Sequence, residues 1–503
     1  MQAITSFIAK LGEMKTSHSL CPLGVVMAFA SFVVAEVIHV PSDYPTIQAG
    51  IAAAADGDTV LIAPGEYQEN ITLENKTIVL GSWFVTTQDT GYIARTVIDG
   101  GGKTIITVRS TVGEATTIAG LTLRNGRNGI APRARIRILY NHISDCEDAV
   151  DYSKGSGGLF RYNVVERNRG EGLDLDEDVE LAVEDNIIRN NRTDGIEIRL
   201  QKYGGPRLLL AVRRNVIYGN GEDGIQLVDS PDSSRRVFYI ERNLIFKNAF
   251  AGLGCTGEGV TRENYEGADV LEPIYFLNNT LVGNNYGVTG GNNLLALNNV
   301  IAGTKMTAMK KVNGRSLVAY NNFFDNGLDF DRCNQVDSTI FYAAPLLDNN
   351  YRLTRASPGI DAGAAFFIWQ GDTVLNFSRR DYNGAAPDLG AFEYELPAAV
   401  AASIFSAMTA ELPTLLSNYP NPFNNETRIA YQAPASGPLT LKLYDGLGRL
   451  IRTLVNEEKP AGVYSIVSWD GRDDQGVAMA AGIYFFELQT KSSRVSQKLF
   501  LLR

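Results

Sequence analysis

Carboxylate side chains recur at two fixed distances from a repeated asparagine in the middle of the chain. Counted from that asparagine, the eighth positions are Glu171, Asp194 and Asp223, and the eleventh positions are Asp174, Glu197 and Gln226. Asp148 and Asp151 fit the same two positions one repeat earlier, with a slip of one residue. If the repeats stack as strands of a sheet, about 4.8 Å apart, these side chains form two columns of acids.

A column of stacked acids repels itself unless a cation neutralises it. Ca²⁺ is suited to this role because it accepts several carboxylate oxygens in a flexible geometry. We therefore predict a calcium site with ligands drawn from Asp174, Asp176, Asp194, Glu197 and Asp223. The alternative is an acidic surface that binds no metal and keeps the protein in solution.

Two basic residues, Arg199 and Lys202, follow Glu197 closely in the chain. Together with Asp174 and Glu197 they form the predicted catalytic group, with an acidic polysaccharide as the substrate. In a lyase, Ca²⁺ would acidify the proton next to a uronate carboxylate, and Lys202 or Arg199 would remove that proton. In a hydrolase, two carboxylates from adjacent repeats would flank the glycosidic bond.

The repeated unit that carries these residues begins with an asparagine and continues into a short, mostly apolar segment. The asparagines are Asn141, Asn163, Asn186, Asn215, Asn243, Asn279, Asn299 and Asn322, at intervals of 22, 23, 29, 28, 36, 20 and 23. A period in the low twenties fits one coil of a parallel β-solenoid, with the longer intervals holding inserted loops. In such a solenoid the asparagines form an internal hydrogen-bonded ladder. Asp174 and Glu197 lie between apolar neighbours, so they face outward.

The segment that precedes the repeats resembles the start of a known superfamily. Its landmarks are Pro45-Thr46-Ile47-Gln48, Asp56-Gly57-Asp58-Thr59-Val60 and Pro64-Gly65-Glu66-Tyr67. With the asparagine repeats, they resemble right-handed parallel β-helix proteins of the pectin-lyase-like superfamily over roughly residues 38–395. That resemblance implies the fold, while the superfamily includes lyases, hydrolases, esterases, epimerases and binding proteins. The Gly-His-Gly and Arg-Ile-Lys motifs of polygalacturonases and the Arg-x-Pro-x-x-Arg motif of many pectate lyases are absent from the sequence.

Both ends of the solenoid carry predicted caps. Ile47, Ile51 and Ala54 recur at helical spacing, which predicts a short helix that covers the open edge of the first coil. Residues 357–363 and 386–394 resemble an ending that is common in secreted β-helix proteins. This resemblance implies a closing cap at the end of the solenoid.

The composition changes again from Leu416 onward. Alternating strands separated by turns such as Asp445-Gly446 and Asp470-Gly471 predict a small β-sandwich. The runs 416–424, 444–448 and 482–485 resemble the C-terminal sorting domain of the type IX secretion pathway. This resemblance implies recognition by the type IX secretion machinery. The protein would then be extracellular, or held at the outer-membrane surface of a Gram-negative cell.

Composition narrows the choice of partners and compartment. A net charge of -10 argues against nucleic acid as a partner. With only three histidines, the chain offers little material for a zinc centre or a Ser-His-Asp triad, and its four cysteines are too scattered for a disulfide framework. Lys15, followed by an apolar run that ends at Ala35, predicts a secretory signal peptide over residues 1–35. No other segment is apolar enough to cross a membrane.

We predict that the fold is all-β and that the protein is a monomer. Its parts are the signal peptide (1–35), a right-handed parallel β-helix with both caps (36–395), a linker (396–415) and a sorting domain with an Ig-like β-sandwich (416–503). Calcium is the predicted cofactor. The predicted function is that of a secreted or surface-displayed protein that binds and cleaves an acidic polysaccharide. The alternative is a non-catalytic adhesin or binding protein that uses the long flat side of the solenoid.

Overall fold

A computed structural model describes residues 35–176, 178–230, 233–257, 265–266, 268–378, 381–394, 415–419, 423, 426–432, 437–446, 448–459, 464–490 and 494–502. Within these residues, three parallel sheets called A, B and C contain 12, 11 and 11 strands. Each coil of the chain adds one strand to sheet A, then one to sheet B and one to sheet C. The described residues therefore form a parallel β-helix, which confirms the predicted fold.

The strands are short, and most have three to five residues. Sheet A contains Val37–Val40, Thr59–Ile62, Val79–Ser82, Thr117–Ala119, Arg135–Leu139, Gly157–Arg161, Glu180–Glu184, Leu208–Arg213, Arg236–Glu241, Ile274–Leu277, Leu294–Leu297 and Leu317–Ala319. Sheet B contains Gly65–Gln68, Thr96–Asp99, Thr122–Arg124, His142–Ser144, Val164–Glu166, Ile187–Arg189, Val216–Tyr218, Leu244–Phe246, Thr280–Val282, Val300–Ala302 and Asn322–Phe324. Sheet C contains Ile71–Leu73, Ile106–Val108, Asn128–Pro132, Asp148–Tyr152, Leu173–Leu175, Ile196–Arg199, Ile225–Val228, Ala251–Thr256, Tyr286–Thr289, Thr307–Lys310 and Leu328–Asp331.

The core of the solenoid consists of apolar side chains that stack from coil to coil. One inward column on sheet C is formed by Val150, Leu173, Ile196, Ile225, Leu253, Val288 and Met309. All seven side chains are fully buried. Each contributes about 1.5–3 kcal/mol through the burial of apolar surface, so these columns fix which strand face points outward.

The asparagine ladder is present and holds the coils in register. The backbone N–H of each asparagine donates to the side-chain oxygen of the next, from Asn141 to Asn163 (2.9 Å), Asn186 (2.8 Å), Asn215 (2.9 Å), Asn243 (2.9 Å), Asn279 (2.9 Å), Asn299 (2.7 Å) and Asn321 (2.8 Å). The prediction that Asn322 is the last member of the ladder is therefore wrong by one residue, because Asn321 holds that position. Asn322 lies in sheet B opposite Val300. Two consecutive asparagines made this choice ambiguous, and the buried hydrogen bond from Asn299 selects Asn321.

The predicted N-terminal helix is confirmed over Ile47–Ala53. Thr46 caps it, because its hydroxyl accepts a hydrogen bond from the Ala49 N–H at 3.1 Å. Ile47 and Ile51 are buried in the solenoid core, so the helix covers the first coil. Two further short helices are Phe84–Thr87 and Gly91–Arg95.

The final coil pairs with residues that follow it directly. The Val336 N–H donates to the Val318 oxygen at 3.0 Å, and the Phe323 N–H donates to the Phe341 oxygen at 2.9 Å. This segment includes the 3₁₀ helix Asp337–Thr339. The segments predicted as the closing cap contact the side of earlier coils. There the Gly390 N–H donates to the backbone carbonyl oxygen of Asn298 at 2.7 Å.

The residues after the last coil also include a hairpin, Phe366–Trp369 and Asp372–Asn376. Phe367 and Trp369 pack against apolar residues on the outward side of sheet A, including Leu297. This hairpin therefore covers part of a sheet face that would otherwise meet solvent.

The C-terminal domain consists of two antiparallel sheets. One contains Leu415–Tyr419, Thr427–Gln432 and Tyr464–Trp469, and the other contains Gly437–Asp445, Leu450–Lys459, Gly482–Gln489 and Arg494–Leu501. Ile429 and Trp469 from the first sheet share one buried core with Leu441, Phe486 and Leu499 from the second. The predicted β-sandwich is confirmed.

The predicted signal peptide and linker lie almost entirely outside the described residues, which begin at Ala35 and omit 395–414. Among the residues that are described, no helix combines the length and apolar character needed to cross a membrane.

Candidate functional site

The eleventh-position side chains form one column on the outward face of sheet C. Parallel pairing places Asp151 beside Asp174, Asp174 beside Glu197, and Glu197 beside Gln226. We call these four residues the acid column. The predicted register is therefore confirmed, and Asp151 extends it by one coil.

The acid column ends at Gly254, which pairs with Gln226. A Cβ atom at this position would lie 1.9 Å from Oδ2 of Asp223. Because that separation is far below van der Waals contact, the carboxylate of Asp223 occupies the space that a side chain would need.

The eighth-position residues also stack, in the turn that leads into sheet C. The Gly172 N–H donates to the backbone carbonyl oxygen of Asp194, and the Gly195 N–H donates to that of Asp223, each at 3.0 Å. One coil earlier, the Ala149 N–H donates to the backbone carbonyl oxygen of Glu171 at 3.3 Å. We call Asp148, Glu171, Asp194 and Asp223 the turn column.

Two members of the turn column serve the backbone. Asp194 and Asp223 are almost fully buried. The Asp223 N–H donates to Oδ1 of Asp194 at 2.6 Å, and Oδ1 of Asp223 accepts from the Ala251 N–H and the Tyr265 hydroxyl, both at 2.6 Å. Burial, with the charge of Asp223 beside it, raises the pKa of Asp194 well above its usual value. These two predicted metal ligands therefore fasten one coil to the next.

The other two members lie beside the acid column. One carboxylate oxygen from each of Asp148, Glu171 and Asp174 lies within 4.8 Å of the other two. We call these three residues the acidic cluster. Because Ca²⁺–oxygen distances are about 2.3–2.6 Å, oxygens up to about 5 Å apart can ligate one ion. The acidic cluster thus fits a hard divalent cation. It contains one predicted metal ligand, Asp174, together with Asp148 and Glu171, which the predicted ligand set left out.

Burial raises the pKa of Asp148 well above its usual value, and a side-chain hydrogen bond with Glu171 adds to the shift. A carboxyl group that donates to a neighbouring carboxylate keeps its proton more firmly. Asp148 therefore keeps its proton to a higher pH than an exposed aspartate does when no cation is bound. A cation that binds the carboxylate of Asp148 takes the place of that proton.

Arg199 is the cation that contacts the acid column. Its Nη1 lies 3.2 Å from Oδ1 of Asp174 and 3.3 Å from Oδ1 of Asp176, and its Nη2 forms an ion pair with Glu197. The three carboxylates raise the pKa of Arg199, although burial opposes them. Arg199 therefore stays protonated and offsets part of the negative charge.

The carboxyl groups of Asp174 and Glu197 have pKa values near neutral pH. Burial raises the pKa of each to about 7, and the charge of Arg199 limits the shift. Glu171 and Asp176 add further negative charge that raises both values. A carboxyl group with a pKa near the working pH can both accept and donate a proton, which is the property needed for general acid–base chemistry.

The remaining predicted site residues lie at the edge of this group. Lys202 is exposed, three residues beyond the end of the sheet C strand, whereas Arg199 is the cation that dominates at Asp174 and Glu197. The Asp176 side chain is 39% exposed and contacts the site through Arg199. The predicted site left out Asp148 and Glu171, although the sequence analysis placed both in register with the other acids. The signal available was their place in the turn column, next to Asp174.

Comparison with known proteins adds two family matches. Residues 84–294 match the family NosD, described as a periplasmic copper-binding protein, and residues 420–494 match the FlgD Ig-like domain. The first match covers less than half of the chain. No curated protein matches the sequence.

Several solved structures share parts of the architecture. Pectate lyase Pel9A has a TM-score of 0.48 at 15% identity, with 72% of this chain and 96% of that chain covered. The A-module of mannuronan C-5 epimerase AlgE6 from Azotobacter vinelandii has a TM-score of 0.36 at 18% identity, with 59% and 94% covered. PorZ, a surface component of the type-IX secretion system of Porphyromonas gingivalis, has a TM-score of 0.15 at 23% identity, with 20% of this chain and 13% of that chain covered.

The described residues do not fit copper. Copper sites use imidazole, thiolate and thioether ligands, whereas the acidic cluster offers carboxylate oxygens. Cys146 is buried, and burial raises the pKa of its thiol to about 12, which disfavours the thiolate. The described histidines are His39, which is exposed, and His142, whose Nε2 lies 3.0 Å from Glu166. The donor set instead suits calcium, magnesium or manganese.

Proposed function

We propose that this protein binds an acidic polysaccharide along the outward face of sheet C and cleaves it next to the acidic cluster, with a bound Ca²⁺ ion. The observation that carries the proposal is the juxtaposition of the acidic cluster with Asp174, Glu197 and Arg199. A protein with a net charge of -10 repels an acidic polymer unless cations bridge the two. The face offers Arg199 as a fixed cation and the acidic cluster as a place to bind another.

Asp148, Glu171 and Asp174 would hold the ion. When bound, Ca²⁺ supplies positive charge that binds a uronate carboxylate and acidifies the adjacent proton. The half-buried position of these three residues favours this role, because their oxygens are drawn together and yet remain open to solvent.

Glu197 is the proposed proton acceptor. It lies on the rung next to Asp174, its ionised form is available above about pH 7, and its pKa is matched to proton transfer near neutrality. Arg199 keeps its proton, so it orients Glu197 and neutralises charge. Lys202, exposed beyond the strand, is the alternative base.

The direct test uses polygalacturonate or alginate with Ca²⁺ and follows the absorbance of an unsaturated product. We expect turnover that rises with pH through about 7, as Glu197 ionises. The variant E197Q should lower the rate about 10²–10⁴-fold, the usual contribution of general acid–base catalysis, while the chain still folds. A matched control is E74Q, because Glu74 is exposed on an early coil.

Three results would contradict the lyase proposal. Reducing ends that appear without an unsaturated product would indicate hydrolysis by Asp174 and Glu197 as a carboxylate pair. Binding without any product would indicate a non-catalytic polysaccharide-binding protein. Equal turnover by E197Q and E74Q would remove Glu197 from the reaction.

For export, we propose that the C-terminal β-sandwich is recognised by the type IX secretion machinery and that the mature protein acts outside the cell. The motifs in residues 416–424, 444–448 and 482–485 support this proposal. Deletion of residues 416–503 should leave the protein inside a host that carries this pathway, and continued export of the truncated chain would contradict it.

A further inference from the structure

A cavity of about 610 Å³ opens between three inserted loops that follow strands of sheet C. Its lining includes Arg207, Arg235 and Arg236, together with one carboxylate, Glu272. This volume lies within the usual range of small-molecule sites, about 300–1,000 Å³. Three guanidinium groups around one cavity stand out in a protein with a net charge of -10.

The walls of this arginine cavity are fastened by hydrogen bonds between the loops. The Tyr203 N–H donates to the backbone carbonyl oxygen of Ser233 at 3.1 Å, and the Leu208 N–H donates to that of Arg235 at 3.2 Å. Oε1 of Glu272 accepts from the Ser234 N–H at 2.8 Å and from its hydroxyl at 2.7 Å. Oε1 of Glu272 is therefore held by Ser234 of the neighbouring loop.

Arg236 links the cavity to the acid column. It is 1% exposed, and its Nη1 donates to the carbonyl oxygen of Arg199 at 3.2 Å. The side chain of the same Arg199 contacts Asp174, Asp176 and Glu197. The cavity therefore adjoins the proposed cleavage site, with Arg199 contributing its main chain to one and its side chain to the other.

We propose that the arginine cavity binds an anionic substituent, a carboxylate or a sulfate, on a sugar unit that neighbours the cleaved unit. Guanidinium groups suit this role because they always carry charge and present paired N–H donors that match carboxylate and sulfate oxygens. The inference rests on the proposed function in that the ligand is an acidic polysaccharide. It deepens that function, because it requires negative charge on more than one unit of the polymer.

The test is calorimetric binding to the metal-free full chain, without Ca²⁺ and without turnover. The probes are trigalacturonate, a sulfated neutral trisaccharide and the same trisaccharide without sulfate. We expect saturable binding of at least one anionic probe and none of the neutral probe, and the tighter anionic probe identifies the substituent. The variants R207Q and R235Q should each weaken that binding about tenfold, the effect of losing one charge-assisted hydrogen bond.

The matched control is R137Q, which removes the same charge from an exposed arginine on the outward side of sheet A. It should bind as the wild type does. Because Arg236 is buried, R236K keeps the charge and tests whether the paired donors matter, with the melting temperature as a check on folding.

Equal binding of charged and neutral probes would overturn the inference, as would unchanged binding by both R207Q and R235Q. The outcome is separable from that of the proposed function, since E197Q should lose turnover and still bind the anionic probe in the metal-free state. If no anionic probe binds to the wild type while turnover still depends on Glu197, the inference about the arginine cavity is wrong and the proposed function stands.

Discussion

Two halves of the turn column occupy equivalent positions in successive coils and yet do different work. Asp194 and Asp223 are buried and spend their oxygens on backbone N–H groups of the next coil. Asp148 and Glu171 are half-buried. Oδ1 of Asp148 also accepts from the backbone N–H of Glu171 at 3.1 Å, but one carboxylate oxygen of each residue lies within 4.8 Å of a carboxylate oxygen of Asp174. The repeat therefore supplies the position, and the surroundings decide whether an acid is structural or available for chemistry.

Part of the difference comes from the inserted loop that follows Thr256. This loop brings Tyr265, itself buried, onto Asp223, where its hydroxyl donates at 2.6 Å. Arg199, by contrast, lies on the outward face near the half-buried acids, where its guanidinium group forms ion pairs with Asp174 and Glu197.

The sharpest way to break this comparison is alanine at both kinds of position. D223A should lower the free energy of unfolding by about 2–4 kcal/mol, because buried donors on Ala251 and Tyr265 lose their acceptor. D148A should lower it by less, about 1 kcal/mol, because Asp148 is half-buried and its loss removes one hydrogen bond from the Glu171 N–H. Denaturant unfolding of the two variants measures the difference, and equal losses would show that the two halves are alike.

Much of the solenoid could be predicted from the sequence, because the buried asparagine that starts each repeat sets the register of the residues counted from it. Counting from Asn163, Asn186 and Asn215 placed Asp174, Glu197 and Gln226 in one column, as the structure has them. The count failed by one residue at Asn322, where two adjacent asparagines leave the choice to a buried hydrogen bond.

Counting alone did not separate the buried acids from the acidic cluster. The predicted ligand set included Asp194 and Asp223, which are buried and accept backbone hydrogen bonds, and it left out Asp148 and Glu171, which lie beside Asp174. Burial and hydrogen-bond partners depend on loops of irregular length, such as the one that carries Tyr265, and no periodicity describes those loops.

A smaller effect concerns pH. Folding raises the pKa of Asp174 from 3.8 and that of Glu197 from 4.5, both to about 7. Between these values the folded chain holds protons that the unfolded chain has released, so the free energy of unfolding falls as pH rises from about 4 to about 7. We expect the stability of the metal-free protein to fall steadily over this range of pH.

Urea unfolding across that pH range measures this slope, and the double variant D174N/E197Q should flatten it. The prediction is wrong if the metal-free wild type becomes more stable over the same rise in pH. It is also wrong if the double variant keeps the wild-type slope.

The smallest effect is expected at Asp176, which is 39% exposed and lies 3.3 Å from Arg199. D176N should change the free energy of unfolding by no more than about 0.5 kcal/mol, since exposed ion pairs contribute little. A melting temperature lowered by several degrees would place Asp176 inside the site, with Asp174 and Glu197.

The central claim is that stacking turns distant acids into one cation site, and calcium titration of the metal-free chain tests it most directly. Calorimetry in two buffers of different protonation enthalpy should show one ion bound and about one proton released near pH 7. E171Q should weaken that binding at least about tenfold, the effect of losing one carboxylate ligand, while E74Q leaves it unchanged. No calcium binding by the wild type, or equal binding by E171Q and E74Q, would contradict the account.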